Sequence, residues 1–277
     1  MAKSYLLVYS FSHGYVTSVV DYIHAKLKAL SPFPVEFVVC DRVDAIRFDQ
    51  GSIIFVLGLF EPFLRQPLCR YVCFNLERLY HSGPSTPGNA AAKRWSASKK
   101  QRFSRKVRQY DFVLDFHADQ IEPVTAEFGI SARVFPICVA PPAPRARIYE
   151  VCIVGSPTPR RVTIAKRLAR LGVKLSPSSG IMGALIAGAA LVTEPTPGVE
   201  RYLPPHLYLV ASYSDIVEST ISLLGQPERL KTMTSAANAW LKEIYLPQCE
   251  ATWRTLLDGL YQDHASLLAS VIDQPSR

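Results

Sequence analysis

The sequence is poor in charge, and poorest in negative charge. Charged side chains make up 19% of it against 48% hydrophobic ones. That balance excludes a disordered chain and provides for a real core. Aspartate and glutamate number 23 against 31 lysines and arginines, giving a formal charge of +8. Such an excess favours an anionic partner: nucleic acid, a nucleotide sugar, an anionic glycan or a membrane surface. Long apolar runs are missing too. Tyr5–Tyr9 is too brief for a signal-peptide core and has no cleavage pattern, and Ile181–Val192 is broken by glycines and falls short of a membrane span. A cytoplasmic protein without a transmembrane segment is the expectation. The six cysteines (Cys40, Cys69, Cys73, Cys138, Cys152 and Cys249) lack paired metal spacing, since only Cys69 and Cys73 lie close and no histidine completes a set. Reduced core thiols and no metal follow from that pattern. No internal repeat is visible.

What the sequence does have is a series of short apolar runs separated by segments of crossover length. Tyr5–Phe11, Val35–Val39, Ser52–Leu57, Arg70–Asn75, Phe112–Phe116 and Arg133–Ile137 read as strands. They are apolar throughout instead of alternating, which points to a parallel sheet covered by helices on both faces. Val16, Val19, Val20, Ile23 and Leu27 form a helical stripe, predicting a helix over Tyr15–Leu30 after a Ser12-His13-Gly14 turn.

In such sheets ligands bind beyond the carboxyl ends of the strands. Ser12, His13 and Gly14 follow the first strand, Asn75 and Glu77 the fourth, and Asp115 and His117 the fifth. His13 titrates near neutrality and is a candidate general base, with Glu77 as the alternative. Both also have structural readings, an ordinary loop histidine and a carboxylate favoured by a helix start. Between the fourth and fifth strands lies a run with Lys93, Arg94, Lys99, Lys100, Arg102, Arg105, Lys106 and Arg108, no acidic residue, and Trp95 and Phe103 interleaved. It reads either as a polyanion-binding surface or as the solvated face of a helix.

A Pro/Ala/Arg stretch, VAPPAPRARI, marks a hinge, so the expected division is residues 1–140, a linker at 141–148, and residues 149–277. After it the chain restarts with Tyr149–Val173: a buried strand at Val151–Val154, a Gly155-Ser156-Pro turn, and a helix opening near Pro159 with Arg160 and Arg161 in its first turn. Unpaired N–H groups and two guanidiniums at one helix start suit a phosphate or diphosphate. Further strands are expected at Val173–Leu175, Ala190–Thr193 and Tyr208–Val210, with helices over Met182–Ala189, Ser214–Leu224, Pro227–Tyr245 and Cys249–Leu268. Two α/β halves make a cleft between them the default site.

YEVCIVGSPTPRRVTIAKRLARLGVKL resembles the opening of the donor-binding domain of GT-B-fold glycosyltransferases, and the spore-maturation-type group in particular. CFNLERL, YDFVLDFHADQIEPVTAEFGISARVFPICVAPP and ALIAGAALVTEP are similar to other segments of that group. The resemblance implies two Rossmann-like domains facing across a cleft, and transfer of a sugar from a nucleoside-diphosphate donor to a hydroxyl acceptor. It implies no cofactor beyond the nucleotide sugar. Gly155, Ser156, Arg160, Arg161, Thr193 and Glu194 would line the donor side, and Ser12, Gly14, Asn75, Asp115 and His117 the acceptor side. The C-terminal half is shortened relative to the group between Leu175 and Ile181. A transferase acting on a polyanion, or a relative without activity that binds nucleic acid or a protein through residues 93–108, is the alternative.

Overall fold

A computed structural model describes residues 2–58, 63–76, 79, 98, 100–137, 151–154, 159–178, 185, 189–195 and 203–272; the side chains of 11–16, 152–154, 176–178 and 270–272 lie outside that description. The chain divides into two compact units, Met1–Ile137 with Cys249–Arg277, and Cys138–Gln248.

The first unit is built on β1 (Ser4–Tyr9), α1 (Ser10–Leu30), β2 (Val35–Cys40), β3 (Ile53–Leu57) and β4 (Arg70–Asn75), then α2 (100–107), β5 (Phe112–Asp115), α3 (Ile121–Phe128) and β6 (Ala132–Val134). Its six strands form one sheet in the order β2-β1-β3-β4-β5-β6, and every pair is parallel. The apolar runs are continuous because both faces are covered. Leu6, Val8, Phe55, Val72, Phe74 and Leu114 face one layer, where Val20, Ile23 and Leu27 of α1 join them. Leu7, Ile54, Val56, Tyr71, Cys73 and Val113 face the other, with Phe103 and Val107 of α2 and Val124 of α3. The architecture is α/β and Rossmann-like.

The second unit holds β7 (Val151–Val154), α4 (Pro159–Arg170), β8 (Leu175–Ser178), β9 (Leu191–Thr193) and β10 (Tyr208–Val210), followed by α5 (Ile216–Leu224) and α6 (Pro227–Trp240). Among the described residues β7 pairs with β8 and β9 with β10, both in parallel. Leu185, Leu191, Leu207, Tyr208, Ala237 and Leu241 form its core. A π-helical turn, Leu241–Tyr245, leads into α7 (Leu246–Ile272).

Four expectations differ from what is found. First, the chain beyond Cys249 belongs to the first unit and not to a domain over 149–277: Trp253, Leu256, Leu257, Leu260 and Tyr261 of α7 lie in the same layer as α1. Second, α1 begins at Ser10, directly after β1, so no loop carries Ser12, His13 and Gly14. A helical glycine costs about 1 kcal/mol, too little to break a helix of 21 residues whose stripe is fixed on the sheet. Third, β8 begins at Leu175 and not Val173, because α4 captures Val173 in its closing turn. Gly172 at φ 81° donates to Ala169 O (3.0 Å) and Val173 N to Leu168 O (3.2 Å), the paired bonds of a Schellman cap. Fourth, the helix read as Cys249–Leu268 runs from Leu246 to Ile272. The helix expected over Met182–Ala189 lies mostly outside the described residues.

Candidate functional site

At the carboxyl edge of the first sheet, strand order reverses between β1 and β3, the place where α/β sheets open a crevice. Ser10, at the start of α1, donates to the Asp41 carboxylate that follows β2. Gly58 follows β3 at φ 90°, and a Cβ there would meet nothing within 4 Å.

Beside this point the ends of β4 and β5 are tied by a buried polar network. Asn75 and Asp115 pair in register across the two strands, and both are closed to solvent. Asn75 Nδ2 donates to Asp115 Oδ2 (2.7 Å), and His117 N donates to Asp115 Oδ1 (2.7 Å). Gln120 Nε2 adds bonds of 3.2 and 3.3 Å to the same carboxylate, while Gln120 Oε1 accepts from Leu79 N. Burial raises the Asp115 carboxyl from 3.8 to about 6, against the pull of Asn75, the His117 N–H and Gln120. A buried carboxylate with these donors organises its neighbours. Asn75 and Asp115, expected on the acceptor side, tie the ends of β4 and β5 together. His117 is half-buried just beyond β5, its ring 4.3 Å from that of Phe116. Ser12, His13 and Gly14 lie in the opening turns of α1, their side chains outside the described residues, as is Glu77 altogether.

The second unit brings together residues from separate stretches of sequence. Pro159 opens α4, where its missing N–H costs nothing, and Arg160 and Arg161 follow in the first turn. Arg160 Nη2 lies 2.5 Å from Glu194 Oε1, just past the end of β9. Its guanidinium carbon sits 4.3 Å from the centre of the Tyr213 ring, beyond the end of β10. The two strand ends are themselves joined by Ala211 N donating to Thr193 O (2.9 Å). Ser212 and Ser214 fix the turn that bears Tyr213. Their hydroxyls are 2.6 Å apart, and Ser212 Oγ donates to Asp215 Oδ2 (2.6 Å), which with Ser214 holds that carboxyl below its ordinary range. Arg167 bonds Glu218 of α5 at 2.7 Å, joining α4 to α5. Thr193 turns its hydroxyl to Glu194 O (3.2 Å), and Arg161 is half-buried.

Arg160 thus makes one carboxylate contact and one cation–ring contact. It stays open, with 60% of the Arg160 side chain exposed, and its remaining N–H donors can take a further anion. Gly155 and Ser156, expected in the same site, are outside the described residues. Tyr213 and Gln120 are participants that the sequence did not single out. Tyr213 had one usable signal, an aromatic residue in a Ser-rich turn directly after a strand.

Of the basic run, Lys93, Arg94 and Lys99 are outside the described residues. Phe103, Lys106 and Val107 face inward in α2 and Lys100 bonds Glu127 at 2.9 Å, whereas Arg102, Arg105 and Arg108 are exposed. No group of three or more His, Cys, Asp or Glu able to hold a metal occurs among the described residues, nor any helix long and apolar enough to cross a membrane. No protein-family model matches the chain, and no characterised protein matches it in sequence.

Proposed function

We propose that the protein is a GT-B-type glycosyltransferase that moves a sugar from a nucleoside-diphosphate donor to a hydroxyl acceptor. One observation carries the reading: Arg160, from the Gly-Ser…Arg-Arg segment, and Glu194, from the Val-Thr-Glu segment, lie in contact although they are 34 residues apart. Two stretches that resemble donor-binding motifs are thereby part of one site. Arg160 and Arg161 stabilise the negative charge that grows on the leaving diphosphate, which is the largest single demand of this chemistry on a site without a metal. His13 or Glu77 takes the proton of the acceptor hydroxyl. Incubating the full chain with a panel of nucleotide sugars tests the proposal. Donor turnover that disappears in Arg160→Ala supports it, and a panel with neither hydrolysis nor transfer removes it.

The exposed arginines of α2 and of the turn after it favour a second reading, in which the acceptor or partner is a polyanion held by Arg102, Arg105 and Arg108. Retention on a nucleic-acid column that falls with salt and is lost on charge reversal of these three residues supports that reading; retention indifferent to salt excludes it.

A further inference from the structure

The amino-terminal edge of the first sheet, opposite the Asp115 network, carries a loop that turns its polar groups inward and its leucines outward. Phe63 N donates to Gln109 Oε1 (3.0 Å), and the Phe63 ring lies 5.2 Å from that of Tyr71. Arg65 bonds Asp111 (2.7 Å) and lies 5.2 Å over the same Tyr71 ring. The Gln66 side chain accepts from Phe48 N (2.9 Å) and donates to Ile46 O (2.5 Å). Leu64, by contrast, is 85% exposed. Leu68, 38% exposed, stands at φ 60° in a turn that Cys69 N closes onto Gln66 O (3.4 Å). Glycine or asparagine normally fills that left-handed region in a turn, so the backbone there is strained. A single exposed leucine is ordinary. Two on one tethered loop, one of them kept against backbone preference, call for a partner.

Cations flank the loop. Arg47 lies between the two residues that Gln66 holds, and Arg108 precedes the glutamine that holds Phe63. Both are exposed, and neither has a carboxylate partner among the described residues. The carboxylates of the same segments are each matched to another cation: Asp44 to Arg42 (2.6 Å), Asp49 to Lys3 (3.5 Å) and Asp111 to Arg65 (2.5 Å). We infer that this edge docks on an anionic membrane surface. Leu64 and Leu68 enter the boundary between headgroups and acyl chains, and Arg47 and Arg108 meet lipid phosphates. A nucleic acid would use the arginines and leave the leucines in water, because its bases stack on aromatic or guanidinium faces and not on aliphatic tips.

Arg108 is shared with the polyanion reading, whereas the leucines belong to the membrane alone, and the donor site is not involved. Cosedimentation of the full chain with phosphatidylcholine vesicles, with and without an equal part of phosphatidylglycerol, is the test, at about 0.15 M ionic strength. The native chain binds the mixed vesicles and not phosphatidylcholine alone. Leu64→Gln keeps the native circular dichroism, since the residue is exposed, and weakens vesicle binding by about tenfold. Leu68→Gly weakens it as well without lowering Tm, because glycine takes φ 60° without strain. Arg47→Gln and Arg108→Gln weaken it by about fivefold each. No binding to the mixed vesicles, equal binding to phosphatidylcholine alone, or binding that Leu64→Gln leaves unchanged overturns the inference. Retention on a nucleic-acid column with no vesicle binding also overturns it and gives the arginines to nucleic acid.

Discussion

Asp115 is the residue whose environment makes the sharpest demand on the chain. Its carboxyl titrates near 6 in the folded state against 3.8 ordinarily, because burial penalises the charged form more than its three donors reward it. The groups facing it are Asn75, the His117 N–H and Gln120, with Asp119 and Cys73 adding no compensating positive charge. A raised acid favours folding where it is protonated. The penalty is therefore absent below pH 3.8, grows as pH rises, and is complete above about 6. A shift of this size corresponds to about 3 kcal/mol. Asp115→Asn keeps the volume, retains an acceptor for the His117 N–H, and lets Asn75 turn its amide to meet the new donor. Urea unfolding of the two proteins gives the check: the advantage of Asp115→Asn over the native chain increases by about 2–2.5 kcal/mol between pH 4 and pH 7. Parallel pH profiles would contradict the account. Cys40 and Cys73 show the same physics, the Cys73 thiol even while it donates to Gly58 O (3.8 Å). Burial lifts the Cys40 thiol to about 11 and the Cys73 thiol further, so neither reacts with an alkylating agent near neutral pH until the chain unfolds.

Among the elements, α7 has the most to explain, because it lies far along the chain from the sheet it covers. Trp253 packs against the rings of Tyr22, Phe74 and Phe135 and donates from Nε1 to Tyr22 Oη (2.9 Å) and Pro136 O (3.0 Å). Tyr261 shares a bond of 2.9 Å with Ser4 at the head of β1, and His264 Nε2 meets Gly51 O at 2.7 Å. Gly51 is held at φ 76°, and a Cβ there would press Leu268 at 3.3 Å, so the turn before β3 and this helix fit one another. Trp253→Ala is expected to cost about 3–5 kcal/mol in the unfolding of the first unit. Arg254→Ala, one position along, 63% exposed and paired i,i+4 with Glu250, is expected to cost under about 1 kcal/mol. Equal losses would show that α7 does not dock as described. The strands were legible because each is an apolar run with a polar end, and two covered faces require that pattern. The start of α1 was hidden by Gly14 and His13, which look like a turn until the helix is seen on its sheet. β8 was misplaced because Val173 is an apolar residue spent on a helix cap, and its true strand contains Pro177. The docking of α7 left no local trace, since burial of Trp253 is decided by residues more than a hundred positions away.

At the scale of the whole molecule, the chain combines a six-stranded Rossmann-like unit with a second unit that gathers Arg160, Glu194 and Tyr213 at its strand ends. Of that site, the sequence displayed the arginine pair and the Val-Thr-Glu segment separately. Their contact, and the ring that completes it, follow from the parallel pairing of β9 with β10 and from the rotation of α4, which no local pattern encodes. The excess of basic residues, +8 in all, adds a general attraction for anions that salt screens, whereas a single guanidinium adds a directional one. These contributions separate experimentally through ionic strength. Under the proposed function, Arg160 anchors the diphosphate of a nucleotide donor. Calorimetric titration of the full chain with free nucleoside diphosphates at 0.15 M ionic strength, about physiological, tests it most directly. Saturable one-to-one binding that Arg160→Ala weakens by about tenfold or more, the value of one charge-assisted hydrogen bond, is the expected result. Binding of the same strength in Arg160→Ala, or no binding of any nucleoside diphosphate by the native chain, would contradict it.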